Sequence, residues 1–237
     1  MSPVVTPRVR IPDDEWTAFR NEIMEVWFRR LKEKSAAAVF TVLYDLAYHN
    51  RDSYVKGSFS DLSEWTGLDT RTVKKCLREL RQLKLIRKSK SRKRTWKVPL
   101  ANVDLGDGNW TAVPRLLIQH YIPVYHKAVL LLSILRIHCL KWKNYCWART
   151  ETLGKKMGWG ETRTRYAMTE MSSVEKWKAK RTRRDLPHPL SWWKSEKSGY
   201  WQYRVRAVRY ERRTKKSKPT VRLSSHFSKA FDIPILK

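Results

Sequence analysis

The sequence predicts a mainly α-helical fold with small β-hairpins (α+β), on three observations. Apolar residues recur at helical spacing on either side of a glycine, so two helices meet at a tight turn. A short, very basic strand–turn–strand follows the second of these helices. The same pattern then returns in the second half of the chain, displaced by 91 positions without a gap over the helical core.

The first helix of the unit spans residues 35–49, with Val39, Leu43 and Leu46 as its core stripe. Asn50 to Gly57 reads as a polar connection. The spacing of Leu62 and Trp65 predicts a second helix, with Ser60 as its N-cap and Gly67 at its left-handed C-terminus. Asp69 or Thr70 caps a third helix whose apolar face is Val73, Cys76, Leu77, Leu80 and Leu83. Leu85 and Ile86 open a strand, Ser89 to Arg94 turn, and Thr95 to Val98 return. Helix, turn, helix and basic hairpin in this order make a winged helix-turn-helix, in which the second helix of the pair enters a major groove.

In the second half, Val39, Leu43, Leu46, Leu62, Gly67, Leu77 and Leu80 fall on Leu130, Ile134, Ile137, Leu153, Gly158, Met168 and Met171. Thr150 reads as the N-cap of the corresponding second helix, and Gly160 or Glu161 opens the third. After Met171 the match loosens. Pro187 and Pro189 interrupt, then Ser191–Lys194 and Tyr200–Arg209 alternate as two strands of an enlarged wing. Two winged helix-turn-helix domains in tandem follow, with boundaries at 1–34 (an arm and an amphipathic helix), 35–102, a linker at 103–112, 113–210, and a basic tail at 211–237. The amphipathic helix is read from Trp16, Phe19, Ile23, Val26, Trp27 and Leu31 after the acidic start Asp13–Glu15, and is a candidate self-association surface. The linker is read from Gly106 and Gly108 among Asp and Asn.

Charge sets the class of partner. The 237 residues carry 51 Lys and Arg against 22 Asp and Glu, a net of +29. Residues 111–237 alone hold 29 basic and 8 acidic residues. Within the first domain, residues 36–70 carry two bases and five acids, whereas residues 71–97 carry thirteen bases and one acid, Glu79. A chain so charged repels itself and calls for a polyanion, with nucleic acid ahead of an anionic membrane surface. The longest apolar run, Ala128–Leu132, is too short to cross a bilayer, and the first twelve residues lack the apolar core of a secretory signal. Three cysteines form neither a disulfide framework nor a zinc quartet. The expected setting is the cytoplasm of a prokaryotic cell, with the protein on the nucleoid.

Base-reading residues lie near the start of the recognition helix, and later ones meet phosphates. The candidates are Thr70, Arg71, Thr72, Lys74, Lys75 and Arg78 in the first unit, with Arg71 the candidate for bidentate contact with guanine. In the second unit they are Arg149, Thr162, Arg163, Arg165, Tyr166 and Thr169. Lys88, Lys90, Arg92, Lys93 and Arg94 belong to the wing and face phosphates or a minor groove. Arg8 and Arg10 can enter a minor groove from the arm, and Trp192, Trp193 and Trp201 can stack on unpaired bases. Gly154-Lys155-Lys156 lacks the flanking residues of a phosphate loop, and His120 and His126 flank a proline with no metal-ligand spacing. No catalytic centre, cofactor or metal is expected.

The tandem plan, carried by Ser60 to Val98 and by Val129 to Met171, resembles plasmid and phage replication initiators. The resemblance is one of architecture, and the long basic region after Met171 departs from the compact second wing of that family. It implies binding of double-stranded DNA at origin repeats, opening of an adjacent A·T-rich segment and recruitment of host replication proteins, without catalysis. Transcriptional regulation is the alternative role on the same fold. An RNA-binding structural or ribonucleoprotein component is the alternative from another class.

Overall fold

The computed structural model describes residues 16–50, 53–89, 94–101, 109–141, 148–173, 176, 188–194, 196, 201–205, 208–211 and 220–223. Its organising element is a pair of strands drawn from the two halves. Strand β1 (Trp16–Arg20) lies antiparallel to β5 (Trp110–Pro114), with Ala18 opposite Ala112. This corrects the amphipathic helix expected from residue 13 onward. Trp16, Thr17, Ala18 and Phe19 are all buried, so the strand has no polar face. Their spacing fits a helix equally well, and the partner strand lies 94 positions away in sequence. It also corrects the linker, which gives way to β5 at Trp110.

Each of these strands runs into a π-helical turn and a one-turn helix. In the first half these are Ile23–Trp27 and α1 (Phe28–Arg30); in the second, Leu117–Tyr121 and α5 (Ile122–Val124). Phe19, Ile23, Met24, Phe28 and Leu31 are buried, so the apolar residues assigned to self-association are largely consumed inside the chain. Phe19 packs on Tyr44 with ring centroids 4.5 Å apart, and the Tyr44 hydroxyl donates to the Ala18 carbonyl at 2.9 Å. Burial raises the Tyr44 phenol well above its usual range.

The long helix α2 (Ala36–His49) is buried along most of its length. Asp45 on it is almost wholly buried, accepts from Thr17, and meets Arg115 at 3.4 Å. That cluster joins β1, α2 and the end of β5. Strand β2 (Tyr54–Lys56) follows, where a polar connection was expected. Helices α3 (Phe59–Thr66) and α4 (Thr70–Gln82) come next, then β3 (Arg87–Lys88) and β4 (Thr95–Lys97). The three strands form one antiparallel sheet in the order β2-β4-β3. The strand expected at Leu85 starts two residues later, because Leu85 and Ile86 are spent in the core beneath the end of α4.

The second half continues with α6 (Leu130–Lys141), α7 (Thr150–Met157) and α8 (Glu161–Ser172). The hairpin β6 (Leu190–Lys194) and β7 (Trp201–Val205) is antiparallel, and Leu190, Tyr203 and Val205 are buried. Strands β8 (Val208–Glu211) and β9 (Thr220–Leu223) also pair, so the stretch expected as a basic tail at 211–237 contains paired strand. Buried residues of both halves form one continuous apolar core.

Candidate nucleic-acid interface

Helix α3 is fixed by a reciprocal cap. The Asp61 amide donates to the Ser58 hydroxyl at 3.2 Å, and the Ser58 amide donates to the Asp61 carboxylate at 2.7 Å. The cap is therefore Ser58, two residues before the serine expected, because a capping box needs its acid three positions on. Gly67 ends the helix at φ +65°. A Cβ there would lie 2.8 Å from the carbonyl carbon of Pro123 in α5, with the Pro123 oxygen closer still. Asp69 then caps α4, accepting from the Thr72 amide at 2.9 Å and its hydroxyl at 2.6 Å. These bonds hold the Asp69 carboxyl below the usual carboxylate range.

Val73, Cys76, Leu77 and Leu80 anchor α4 to the core. Burial, followed by the charges of Glu33 and Glu79, pushes the Cys76 thiol up to about 12. The opposite face is exposed and basic: Thr70, Arg71, Lys74, Lys75 and Arg78 face solvent, and Thr72 is half-buried and bonded to Asp69. The Lys74 ammonium lies 5.3 Å from the ring centroid of Phe59, which is 40% exposed. Helix α4 closes with Lys84 in the left-handed region at φ +59°. There the Lys84 amide donates to Arg81 and the Leu85 amide to Leu80, both at 3.0 Å. In the wing, Lys88 and Arg94 are exposed. Lys90, Arg92 and Lys93 lie outside the described residues, as do Arg8 and Arg10, and nothing is described of the side chains of Trp192, Trp193 and Trp201.

Glu79, the lone acid on the basic stretch, faces inward. Its carboxylate accepts the Glu33 amide at 2.9 Å and also the Lys32 amide, so it docks α4 on the loop before α2. Its counterpart at the same 91-residue displacement is Glu170 on α8, which is buried against Tyr125. Burial and then the Glu170 carboxylate raise the Tyr125 phenol far above its usual range. The pair of glutamates is a docking feature that the sequence offered and that charge counting treats as an exception.

Helix α7 has Arg149, exposed, at its N-cap position and Thr150 as its first residue, so the expected cap moves back by one. Gly158 ends it at φ +64°, with the Trp159 amide donating to Gly154 at 2.8 Å. Gly160 caps α8. Thr162, Arg165 and Tyr166 are exposed, and Thr169 is half-buried with its hydroxyl donating to the Arg165 carbonyl. Arg163 differs from these. Its guanidinium stacks 4.8 Å from the Trp159 ring centroid and is half-buried, which lowers its pKa by desolvation. Lys127, which the sequence reading passed over, places its ammonium 4.9 Å from the Tyr166 ring centroid and so adds a charge beside the α8 face.

The Lys34 ammonium lies beside Gly158, at the end of α7. Burial lowers its pKa, and the charges of Glu79 on α4 and Arg163 on α8 act on it in opposite senses. The loop before α2 is thus approached by both helices. No helix among the described residues is long and apolar enough to cross a membrane.

No curated protein and no solved structure matches the chain. A family model described as a helix-turn-helix domain matches residues 31–86, the stretch from the docking loop through α4. The segment 31–86 is a helix-turn-helix domain, with α4 as the second helix of the pair.

Proposed function

We propose that the chain is a sequence-reading double-stranded DNA-binding protein that works by binding, without chemistry of its own. The observation that carries this reading is the outward face of α4. A helix-turn-helix domain presents Arg71, Lys74, Lys75 and Arg78 to solvent at the start and middle of its second helix, where base edges and phosphates are met. Helices α7 and α8, with the same glycine turn and the hairpin β6–β7 behind them, act as a second unit on the same duplex. Two reading units in one chain are consistent with a replication-initiator role. An initiator holds repeated origin sites and presents a platform for host replication proteins.

Fluorescence anisotropy with duplexes selected from genomic fragments tests the binding. Arg71→Ala should weaken the selected site by about 1–3 kcal/mol and relax the preference at one base pair. Lys74→Ala with Arg78→Ala should weaken all duplexes alike and make the salt slope shallower by about 0.9 for each phosphate no longer neutralised. Equal binding by all variants, or binding indifferent to salt, would refute the reading. The role is tested by position: selected fragments should cluster as repeats at an origin, and a single site over a promoter would favour the regulator.

A further inference from the structure

We infer that one chain reads a site whose two halves are inverted about a local dyad of the duplex, α4 taking one half and α8 the other. The inference rests on the two-unit DNA-binding reading above and adds the polarity of the halves.

The first ground is the central strand pair. Trp16-Thr17-Ala18 and Trp110-Thr111-Ala112 are the same tripeptide, 94 positions apart. Ala18 lies opposite Ala112, Trp16 opposite Pro114 and Arg20 opposite Trp110. Moving every residue to its counterpart 94 positions on exchanges the two strands and leaves every pairing intact. Antiparallel equivalents paired in this way are related by a half-turn through the midpoint of the Ala18–Ala112 pair. A translation would leave the two strands parallel.

The second ground lies away from the strands. Gly67, at the end of α3, abuts the backbone of Pro123 in α5; Gly158, at the end of α7, abuts the backbone of Arg29 in α1. Arg29 and Pro123 stand 94 apart, and the two glycines stand 91 apart. Each half therefore presses its helix-turn-helix turn on the one-turn helix of the other, reciprocally, as a half-turn requires. The change from 94 to 91 is absorbed at Lys32-Glu33-Lys34, which have no counterpart in the second half. Glu79 docks α4 on the Lys32 and Glu33 amides, just after Leu31, and Glu170 on α8 lies against Tyr125, the residue 94 positions on from Leu31.

Two surfaces related by a half-turn engage one duplex equivalently only when their axis falls on a dyad of the duplex, which is why operator symmetry mirrors protein symmetry. Direct repeats need a translation that this arrangement lacks. The side chains are not symmetric: Arg71, Lys74, Lys75 and Arg78 correspond to Thr162, Arg165, Tyr166 and Thr169. The natural site thus has inverted backbone contacts over unlike bases and does not look palindromic.

Making the two faces alike exposes the polarity. The variant T162R/R165K/Y166K/T169R gives α8 the α4 face at positions that are exposed or, for Thr169, half-buried. The α4 half-site is the half of the selected duplex whose mutation no longer matters after Arg71→Ala. Two probes carry that half-site with an inverted or a direct second copy, over a series of spacings. The grafted chain, bound one per duplex, should prefer an inverted probe at least tenfold. A preference for the direct probe, or no gain from either second copy, overturns the inference. A hydroxyl-radical footprint of the unaltered chain gives a second reading that needs no variant. Backbone protection inverted about the centre of the site supports the dyad, and protection repeated in the same sense on one strand defeats it. Absence of duplex binding by the unaltered chain would remove the DNA-binding reading itself, and this inference with it.

Discussion

Gly67→Ala tests the packing between the halves. Gly67 sits at φ +65°, a region where a side chain costs about 1–2 kcal/mol from clash with its own carbonyl. The added Cβ would also lie 2.8 Å from the carbonyl carbon and 3.4 Å from the Cα of Pro123. The obstacle is backbone and cannot rotate away, so an overpacking cost of about 1–3 kcal/mol applies as well. The expected loss is about 2–5 kcal/mol, a large fraction of the about 5–15 kcal/mol that holds a typical domain. Gly158→Ala is the control. It shares the left-handed conformation, but its Cβ would lie 2.9 Å from the Arg29 oxygen and 3.0 Å from the Lys34 ammonium, a milder crowding. Its expected loss is about 1–3 kcal/mol. Urea unfolding followed by tryptophan fluorescence measures both. A Gly67→Ala loss no larger than that of Gly158→Ala, or below about 1 kcal/mol, would mean that the α3 turn does not press on α5, and the reciprocal packing would fall.

Four further outcomes follow from other sites. Glu79→Gln should destabilise by about 1–3 kcal/mol, because the Lys32 and Glu33 amides lose a charged acceptor; an unchanged urea midpoint would deny the docking role. Arg165→Ala should weaken duplex binding without moving the thermal midpoint, whereas Arg163→Ala should lower stability by about 0.5–1 kcal/mol through loss of its stack on Trp159; the reverse pattern would make Arg163 the reading residue. Lys84→Gly should raise stability by about 1 kcal/mol, since Lys84 holds a left-handed conformation that glycine takes freely; a loss in the urea midpoint would contradict the helix end described. Asp61, through its bonds with Ser58, and Asp69, through its bonds with Thr72, are held below the ordinary carboxylate range. Their contribution is complete above an unfolded value of about 4 and is lost as the pH falls through the lower folded value. Acid unfolding of Asp69→Asn should accordingly show a shallower pH dependence below about 4.

The parts of the fold legible in the sequence were those specified by local chemistry. Gly67 between Leu62 and Val73 marks a turn because few other residues take its conformation, and both halves carry that mark. The basic face of α4 was legible because Val73, Cys76, Leu77 and Leu80 fix which side is buried. Strand β1 was not legible. A strand buried on both faces loses the period-two pattern, and Trp16, Phe19 and Ile23 imitate a helix. The signal that identifies it is the Trp-Thr-Ala tripeptide repeated at 94, which a comparison held at 91 steps over. The π-helical turns carry no sequence mark of their own. Arg163 looks like its exposed neighbours in composition, and only the position of Trp159 shows that it is occupied within the fold.

The pairing of β1 with β5 also sets a schedule for making the protein. β1 emerges from the ribosome long before its partner, since Arg20 pairs with Trp110. At about 5–20 residues per second, the delay is on the order of 5–20 s. During that interval the amides and carbonyls of β1 have no cognate strand within the nascent chain, while α2, α3 and α4 can already assemble. On a polysome, the nearest matching edge is β1 of the neighbouring nascent chain, whose Trp-Thr-Ala is the same tripeptide that β5 later supplies. Closure of the fold is therefore a race between synthesis of Trp110–Pro114 and encounter with a second copy. Slowing translation between residues 20 and 110 should shift the product toward strand-exchanged dimers.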